Sequence, residues 1–291
     1  MTDLPLPGDD HCHSEWSWDA HAGSMLGSCA RAVALGLPSI AFTEHIDATR
    51  WELPDDDRAS FPAAGCHDHA GYRPPPLDVA GYLDAIDRCR ARFPQLRILT
   101  GAELGEPHWH RPQVSELLAT GAFERVLGSL HSVVIAGRIW MIDILMGPHA
   151  PPELTPDDAV RAYLAGAAEM VPSLPDEVEV LGHVDYPVRS WVGRFEPTRF
   201  EAEFREVLRA LAGTDRALEI NTRVPLAAEV VGWWRDEGGQ AVSFASDAHR
   251  PEAVAHGFRD AAALAEAHGF RPDRHPHGFW HLPAGSGRAR S

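Results

Sequence analysis

The 291-residue sequence contains no apolar run that approaches the roughly 18–20 residues needed to cross a membrane. Its first residues, MTDLPLPGDD, have neither the basic segment nor the apolar core of a secretory signal. We therefore expect a cytoplasmic protein with no membrane partner. The cysteines at positions 12, 29, 66 and 89 form no C-x-x-C motif. This scatter argues against a disulfide framework and against a thiolate zinc site.

Basic residues are also in the minority, with 26 Lys and Arg against 42 Asp and Glu and a net charge of −16 at pH 7. A nucleic-acid polymer is an unlikely partner for such a chain, because binding many phosphates requires clustered positive charge. A small phosphorylated ligand stays compatible with this charge if local cations or metal ions reverse the field.

Apolar, β-rich runs alternate with amphipathic helical stretches along the sequence. We predict seven buried strands at 8–13, 38–45, 97–104, 125–131, 178–185, 217–222 and 241–249. We predict helices at 24–36, 79–93, 111–121, 156–171, 198–213, 225–239 and 251–269. This alternation is typical of an α/β fold, and it favours one βα barrel over two domains. We expect one domain over residues 1–291, with a core at about 9–270 and a disordered tail at about 284–291.

Residues that can bind metal lie at the ends of most predicted strands. They are His11, His13, Glu44, His45, Glu103, His131, His183, Asp185, Asp247 and His249. Because the C-terminal ends of parallel barrel strands share one rim, we expect these side chains to converge there. His11 and His13 are two residues apart, as are Asp247 and His249, so each pair shares one face of its strand.

Imidazole and carboxylate ligands without thiolate suit Zn²⁺, Mn²⁺ or Fe²⁺. A bridging carboxylate can hold two metal ions about 3.5–4 Å apart, the arrangement that two-metal phosphatases use. A hydroxide held between such ions has a pKa lowered toward neutrality and can attack phosphorus. The residue types therefore predict a metal site, and they fit metal-dependent phosphoester chemistry.

Six sequence blocks carry a more specific resemblance. They are DDHCHSEWSWDA, IAFTEHID, GAELGE, LGSLHS, LGHVDYPVR and SFASDAH, spread over roughly residues 9–260. The sequence resembles the polymerase and histidinol phosphatase (PHP) family, and within it the stand-alone histidinol-phosphatase-like branch. The resemblance implies a distorted seven-stranded (β/α)7 TIM-like barrel that holds three divalent metal ions.

The resemblance also implies a set of metal ligands. The first metal takes His11, His13 and Asp247, and Glu103 bridges it to the second metal. The other ligands of the second metal are His131 and His183. The third metal takes Asp19, His45 and His249, although some family members have histidine in place of Asp19. We predict catalytic roles for Glu103, Asp247, Asp185 and His249.

Candidate substrate-binding residues follow the fifth, sixth and seventh predicted strands. Arg189, Arg223 and Arg250 are predicted to bind phosphate, and each is alternatively a surface residue or a helix cap. Asn221 either hydrogen-bonds the substrate, which we favour, or caps the next turn. Asp185 either protonates the leaving group or orients His183, and Glu44 is a candidate to orient His45.

We predict a metal-dependent phosphomonoesterase that acts on a small metabolite, with L-histidinol phosphate as the leading candidate. One alternative is a nucleotide phosphodiesterase or 3′-phosphatase that uses the same metals in a wider cleft. Another is a metal-binding regulatory module without catalysis. Two long segments, 46–78 and 132–155, interrupt the barrel pattern and are expected to shape the substrate pocket.

Overall fold

The computed structural model describes residues 6–52, 66–68 and 71–283, with the backbone alone at 66–68. Its main feature is a curled sheet of eight strands. The sheet strands are β1 (Asp9–Cys12), β2 (Ser39–Asp47), β5 (Arg97–Gly105), β6 (Arg125–Ser129), β9 (Val180–Leu181), β10 (Ala217–Asn221), β11 (Ala241–Ala245) and β12 (Trp280–His281), in that spatial order. The predicted α/β fold is confirmed.

The first seven strands of this sheet pair in parallel, and β12 pairs antiparallel to β11. The predicted count of seven strands is therefore wrong by one, because two-residue β12 is too short to show a periodic pattern. The sheet curls until its first and seventh strands meet beyond the end of β11. There, the Asp247 N–H donates to the His11 carbonyl at 2.8 Å, and the His13 N–H donates to the Ala248 carbonyl at 2.9 Å.

Most residues of the sheet strands are buried, because further layers of the structure cover the sheet. In β5, every residue after Arg97 is buried, as expected for a parallel strand with a near-continuous apolar sequence. Helices form one of these layers. They are α1 (Met25–Leu35), α2 (Val79–Arg92), α3 (Arg111–Leu118), α4 (Ile142–Leu145), α5 (Pro156–Met170), α6 (Glu201–Ala212), α7 (Ala228–Asp236) and α8 (Phe258–Ala267).

All seven predicted helices are present, and α4 is a helix that was not predicted from the sequence. Local signals set their bounds. Thr155 and Asp158 form a reciprocal capping box at the start of α5. Gly36, at φ 73°, ends α1 in the left-handed conformation that glycine adopts without strain. In α6, the buried residues Phe204, Val207, Leu208 and Leu211 repeat at helical spacing and face the core.

The two segments that interrupt the barrel pattern contain short hairpins. In the first segment, β3 (Cys66–Asp68) pairs with β4 (Gly71–Arg73), whereas residues 53–65 and 69–70 lie outside the described residues. In the second, β7 (Ser132–Ile135) pairs with β8 (Arg138–Met141) and leads into α4. The predicted disordered tail at 284–291 also lies outside the described residues.

The sequence argues against membrane-spanning segments and against a disulfide framework, and the described residues bear on both. Within 6–52, 66–68 and 71–283, no helix combines the length and apolarity that a membrane crossing requires. In this part of the chain, Cys12, Cys29 and Cys89 are free, buried thiols.

The Tyr82 hydroxyl joins two neighbouring strands of the sheet. It donates to the Phe42 carbonyl of β2 at 2.7 Å and accepts from the Gly101 N–H of β5 at 2.7 Å. Because Tyr82 is fully buried, Tyr82→Phe removes both hydrogen bonds at a site that solvent does not reach. We expect the free energy of unfolding to fall by about 1–3 kcal/mol, measured by urea denaturation.

Thr120→Val is the control for this prediction. It removes a 2.7 Å hydrogen bond from an exposed hydroxyl to the Leu117 carbonyl, where water can replace the lost donor. Equal and small losses of stability in the two variants would contradict the role assigned to Tyr82.

Candidate metal centre

A cavity of about 150 Å³ opens at the C-terminal ends of the parallel strands. Seven of the nine predicted metal ligands line it. Arg189 and Arg223, two of the predicted substrate-binding residues, also line it. The lining residues are Trp18, Asp19, His45, Asp47, Trp51, Glu103, His131, Met141, Asp143, His183, Tyr186, Arg189, Arg223, Asp247 and His249. His11 and His13 are fully buried beside the same cluster.

Glu103 lies at the centre of the cluster, and its two oxygens face different histidines. Oε2 lies 3.4 Å from Nε2 of His11 and 3.4 Å from Nε2 of His13. Oε1 lies 2.8 Å from Nε2 of His183 and 3.3 Å from Nε2 of His131. This is the orientation of a carboxylate that can bridge two metal ions, one on each side.

The donor atoms also approach one another in sets of three. Four sets have all their donor atoms within 4.8 Å of each other: His11–His13–Glu103, His11–His183–Asp247, His45–Glu103–His131 and His13–His45–His249. The ninth predicted ligand, Asp19, joins the outer side of the cluster. Its Oδ2 lies 3.4 Å from Nε2 of His45 and 3.0 Å from Nε2 of His249.

Acceptors outside the cluster orient the first two histidines. Glu219 Oε2 lies 2.7 Å from His11 Nδ1, and the carboxylate therefore accepts the Nδ1 proton. Ser17 lies 2.9 Å from His13 Nδ1, and its hydroxyl donates to Glu44 at 2.6 Å. Ser17 therefore accepts from His13, and in the neutral form of both imidazoles Nε2 carries a lone pair that faces Glu103. This tautomer is the one that binds metal.

Glu44 therefore acts on a different histidine from the one predicted. It was expected to orient His45, its neighbour in β2, but it supports His13 through Ser17. Adjacent strand residues point to opposite faces, which explains why Glu44 and the His45 ring do not meet. His45 is flanked instead by Asp47, whose Oδ2 lies 3.5 Å from His45 Nδ1.

Buried charges in the cluster shift one another's pKa. Burial favours the neutral form of Glu103, but His11, His45 and His131 outweigh it and hold its pKa well below the usual range. Burial likewise opposes protonation of His11, yet Glu219, Glu103 and Asp247 raise its pKa well above the usual range. For His13, burial and the neighbouring His45 lower the pKa instead. The carboxylates thus require positive charge beside them, which protons or metal ions can supply.

Two arginines reach the cluster from the rim. Arg189 follows β9 and pairs with Asp247 Oδ2, and its guanidinium carbon lies 4.5 Å from the centre of the Tyr186 ring. Arg223 follows β10, and its Nη1 lies 3.4 Å from Asp247 Oδ1 and 3.3 Å from His249 Nδ1. Both arginines line the cavity, in the position that predicted phosphate contacts require.

Two other predicted substrate contacts lie elsewhere in the structure. Asn221 donates to Glu219 at 2.7 Å and accepts from the Arg223 N–H at 2.9 Å, so its amide supports the next turn and Glu219. Arg250 is exposed. Neither residue is among the described residues that line the cavity. Strand position alone did not indicate which way these side chains point.

Asp185 is buried but is not among the described lining residues. Burial raises its pKa to about 7, although Arg189 opposes the shift. His183 Nδ1 has no hydrogen-bond partner among the described residues, so the alternative in which Asp185 orients His183 is not supported. A role for Asp185 as a proton donor stays a prediction.

Sequence reasoning missed two carboxylates that support the cluster. Glu219, in the middle of β10, orients His11 and also accepts the His183 N–H at 2.9 Å. Asp47 ends β2 and lies 3.5 Å from Nδ1 of His131. The sequence contained a signal for each carboxylate. Asp47 lies two residues after His45, and Glu219 lies two residues before Asn221, so each shares a strand face with a predicted site residue. An acidic residue inside an apolar strand is itself unusual.

The donor set fits divalent metal ions. Glu103 Oε2 and Asp19 Oδ1 are buried and accept no well-aligned hydrogen bond from the described residues, although imidazoles approach each carboxylate. Buried carboxylate oxygens rarely stay unpaired unless an ion or water completes them. Nitrogen and oxygen donors without thiolate are the ligands that zinc, manganese and iron accept.

Comparison with known proteins agrees with this fold and cluster. The PHP domain family matches residues 9–223, which is most of the chain. The chain therefore belongs to the PHP domain family.

Two relatives add detail. The histidinol-phosphatase of Lactococcus lactis is 26% identical over 253 residues, a match that covers 83% of each chain. A crystal structure of histidinol phosphate phosphatase from the same species, in complex with zinc, L-histidinol and phosphate, superposes with a TM-score of 0.74. That match covers 92% of this chain and 95% of the other at 22% identity, and it confirms the fold.

Glu219 provides a test of how the cluster is organised. In Glu219→Gln, the neutral amide no longer stabilises the Nδ1 proton of His11. We expect the affinity for Zn²⁺ to fall by about 10- to 100-fold, measured by competition with a chelator. Glu179→Gln, which changes a partly exposed partner of Arg125, is the control. Unchanged zinc affinity in Glu219→Gln would show that Glu219 does not support the metal centre.

Proposed function

We propose that this protein is a metal-dependent phosphatase that hydrolyses L-histidinol phosphate to L-histidinol and phosphate. The observation that carries the proposal is Glu103, whose two oxygens face different histidines: Oε2 faces His11, His13 and His45, and Oε1 faces His131 and His183. Membership of the PHP domain family and similarity to a histidinol-phosphatase over 83% of the chain support the same activity.

We propose that the cluster holds three divalent ions. His11, His13 and Asp247 would bind the first, His131 and His183 the second, with Glu103 between them, and Asp19, His45 and His249 the third. The distances support the role of Glu103 and the grouping of Asp19 with His45 and His249. His11, His13 and His45 each belong to two sets of close donors, and His183 shares its one set with His11 and Asp247, so these residues lie at the boundaries between sites.

The chain's own residues would position the substrate and balance its charge. Bound divalent ions supply Lewis acidity and lower the pKa of a bound water toward neutrality. Arg189 and Arg223 would bind the phosphoryl oxygens, since both guanidinium groups line the cavity beside Asp247. Arginine suits this task because its planar fork matches two phosphate oxygens.

The size of the cavity favours a small ester. Its volume of about 150 Å³ lies below the roughly 300–1,000 Å³ of sites that enclose drug-sized ligands. A dinucleotide would extend well beyond the lining residues, so the nucleotide phosphodiesterase alternative receives less support. A purely regulatory module is also less supported, because all nine predicted ligands meet in one cluster.

We further propose that one PHP domain spans the chain, and that the seven parallel strands of its sheet form a distorted (β/α)7 TIM-like barrel to which antiparallel β12 is added. The parallel strands β10 and β11 continue the sheet, although the family match ends at residue 223. The backbone hydrogen bonds between Asp247 and His11 and between His13 and Ala248 support closure of the barrel.

A phosphate-release screen tests the activity. The metal-free protein is supplied separately with Zn²⁺, Mn²⁺ or Fe²⁺ and assayed on L-histidinol phosphate, other phosphorylated metabolites and small nucleotides. We expect the highest kcat/KM for L-histidinol phosphate. In Glu103→Gln, turnover should fall by more than about 100-fold with every metal, because the bridging charge is lost.

Glu116→Gln, an exposed carboxylate on α3, serves as the control and should keep wild-type turnover. Higher kcat/KM for a nucleotide would favour the phosphodiesterase alternative. No release from any ester by the metal-loaded protein would favour a regulatory module.

Arg189→Ala tests the predicted phosphate contact. We expect KM for L-histidinol phosphate to rise by about 10- to 100-fold, because a charge-assisted hydrogen bond to phosphate is lost. Steady-state phosphate release measures the change, and Arg194→Ala, an exposed arginine in the same loop, is the control. An unchanged KM in Arg189→Ala would remove this residue from the phosphate site.

A further inference from the structure

One carboxylate on the cavity wall differs from the others in its partners. Asp19, Asp47, Glu103 and Asp247 each lie within 3.5 Å of a histidine or an arginine. Asp143 also lines the cavity, but the hydrogen-bond donors to its carboxylate among the described residues are two neutral hydroxyls. Tyr186 donates to its Oδ2 at 2.8 Å, and Ser190 donates to its Oδ1 at 3.0 Å.

These two hydrogen bonds orient Asp143 without neutralising it. A carboxylate has about four lone-pair positions, and the hydroxyls occupy two of them. Its negative charge therefore stays available to a cationic group inside the cavity. Because Asp143 is exposed, a ligand can reach it without a change in the fold.

Asp143 lies close enough to the metal ligands for one small molecule to contact both. The preceding residue, Ile142, donates its N–H to the carbonyl of His131 at 2.9 Å. The ring of Tyr186, which holds Asp143, lies 5.2 Å from the ring of His131 and 4.9 Å from that of His183. A single aromatic ring thus separates the carboxylate from the cluster.

Aromatic side chains complete this part of the cavity. Trp18 and Trp51 both line it, and their ring centres lie 5.8 Å apart. Trp18 also lies 5.9 Å from the ring of His45. A ligand with a positive group and a flat ring would find a carboxylate and aromatic faces in the same cavity.

We propose that Asp143 is a specificity-determining residue that binds the ammonium group of a cationic phosphomonoester. This inference rests on the proposed function, because it places the phosphoryl group at the metal cluster and the arginines. L-Histidinol phosphate has such an ammonium on the carbon next to the phosphoester carbon. A carboxylate one ring away from the cluster suits that short separation.

The experiment compares two substrates that differ in this group alone. One is L-histidinol phosphate, and the other is its analogue without the amine, 3-(imidazol-4-yl)propyl phosphate. For the zinc-loaded protein, we expect kcat/KM to be higher for the amine. In Asp143→Asn, the ratio of the two kcat/KM values should fall by about 10- to 100-fold, mainly through KM for the amine.

Asp236→Asn, an exposed carboxylate on α7 that pairs with Arg235, is the matched control and should keep the wild-type ratio. Zinc content of each variant shows whether the cluster is intact. An unchanged ratio in Asp143→Asn, or an equal loss for both substrates, would overturn the inference while leaving the phosphatase activity established.

Calorimetric binding of L-histidinol separates this inference from the proposed function. If the wild-type protein hydrolyses neither ester, the proposed function fails. The inference then depends on binding alone. It is supported if Asp143→Asn binds L-histidinol at least about tenfold more weakly than the wild type does. Equal affinity in the two proteins, or no binding by the wild type, overturns it.

Discussion

The structure depends on the compensation of a buried negative charge at Glu103. This carboxylate is fully buried at the end of β5, where an isolated ion would be strongly destabilising. Five imidazoles surround it at 2.8–3.4 Å, those of His11, His13, His45, His131 and His183. Glu219 and Glu44 in turn support two of these imidazoles, so the network extends outward from Glu103 in layers. Such a network is favourable only when each member finds its partners.

Much of the fold and the inner cluster follows from the sequence because both obey simple periodic rules. Parallel strands end on one rim, so ligand-type residues at strand ends, such as His131 and His183, must lie near one another. Alternation along a strand places His11 and His13 on one face. The same rule also reaches Asp47, which escaped notice because the predicted strand ended at residue 45, whereas β2 continues to Asp47. Glu219 escaped notice because it lies inside a strand and not at its end.

The outer part of the site follows no such rule. Tyr186 lies in a short 3₁₀ turn and Asp143 in a four-residue helix after a hairpin. They meet because these two segments pack together, and no spacing in the sequence encodes that contact. Arg223 and Arg250 both follow parallel strands, yet Arg223 lines the cavity and Arg250 is exposed. Packing of the segments after these strands explains this difference too. Side-chain direction in irregular segments depends on tertiary packing, which sequence patterns do not specify.

The hydrogen bonds that join His11 to Asp247 and His13 to Ala248 have a consequence for how the protein matures. They bring together two parts of the chain more than two hundred positions apart, and both parts contribute to the same cluster. A ribosome that has released only the first strands has therefore produced an incomplete ligand set. Metal binding stabilises the state that holds all the ligands, so its full free energy is gained only when the whole sheet has formed. An incomplete chain therefore gains little of this stabilisation, and ion binding favours the fully synthesised protein over its folding intermediates.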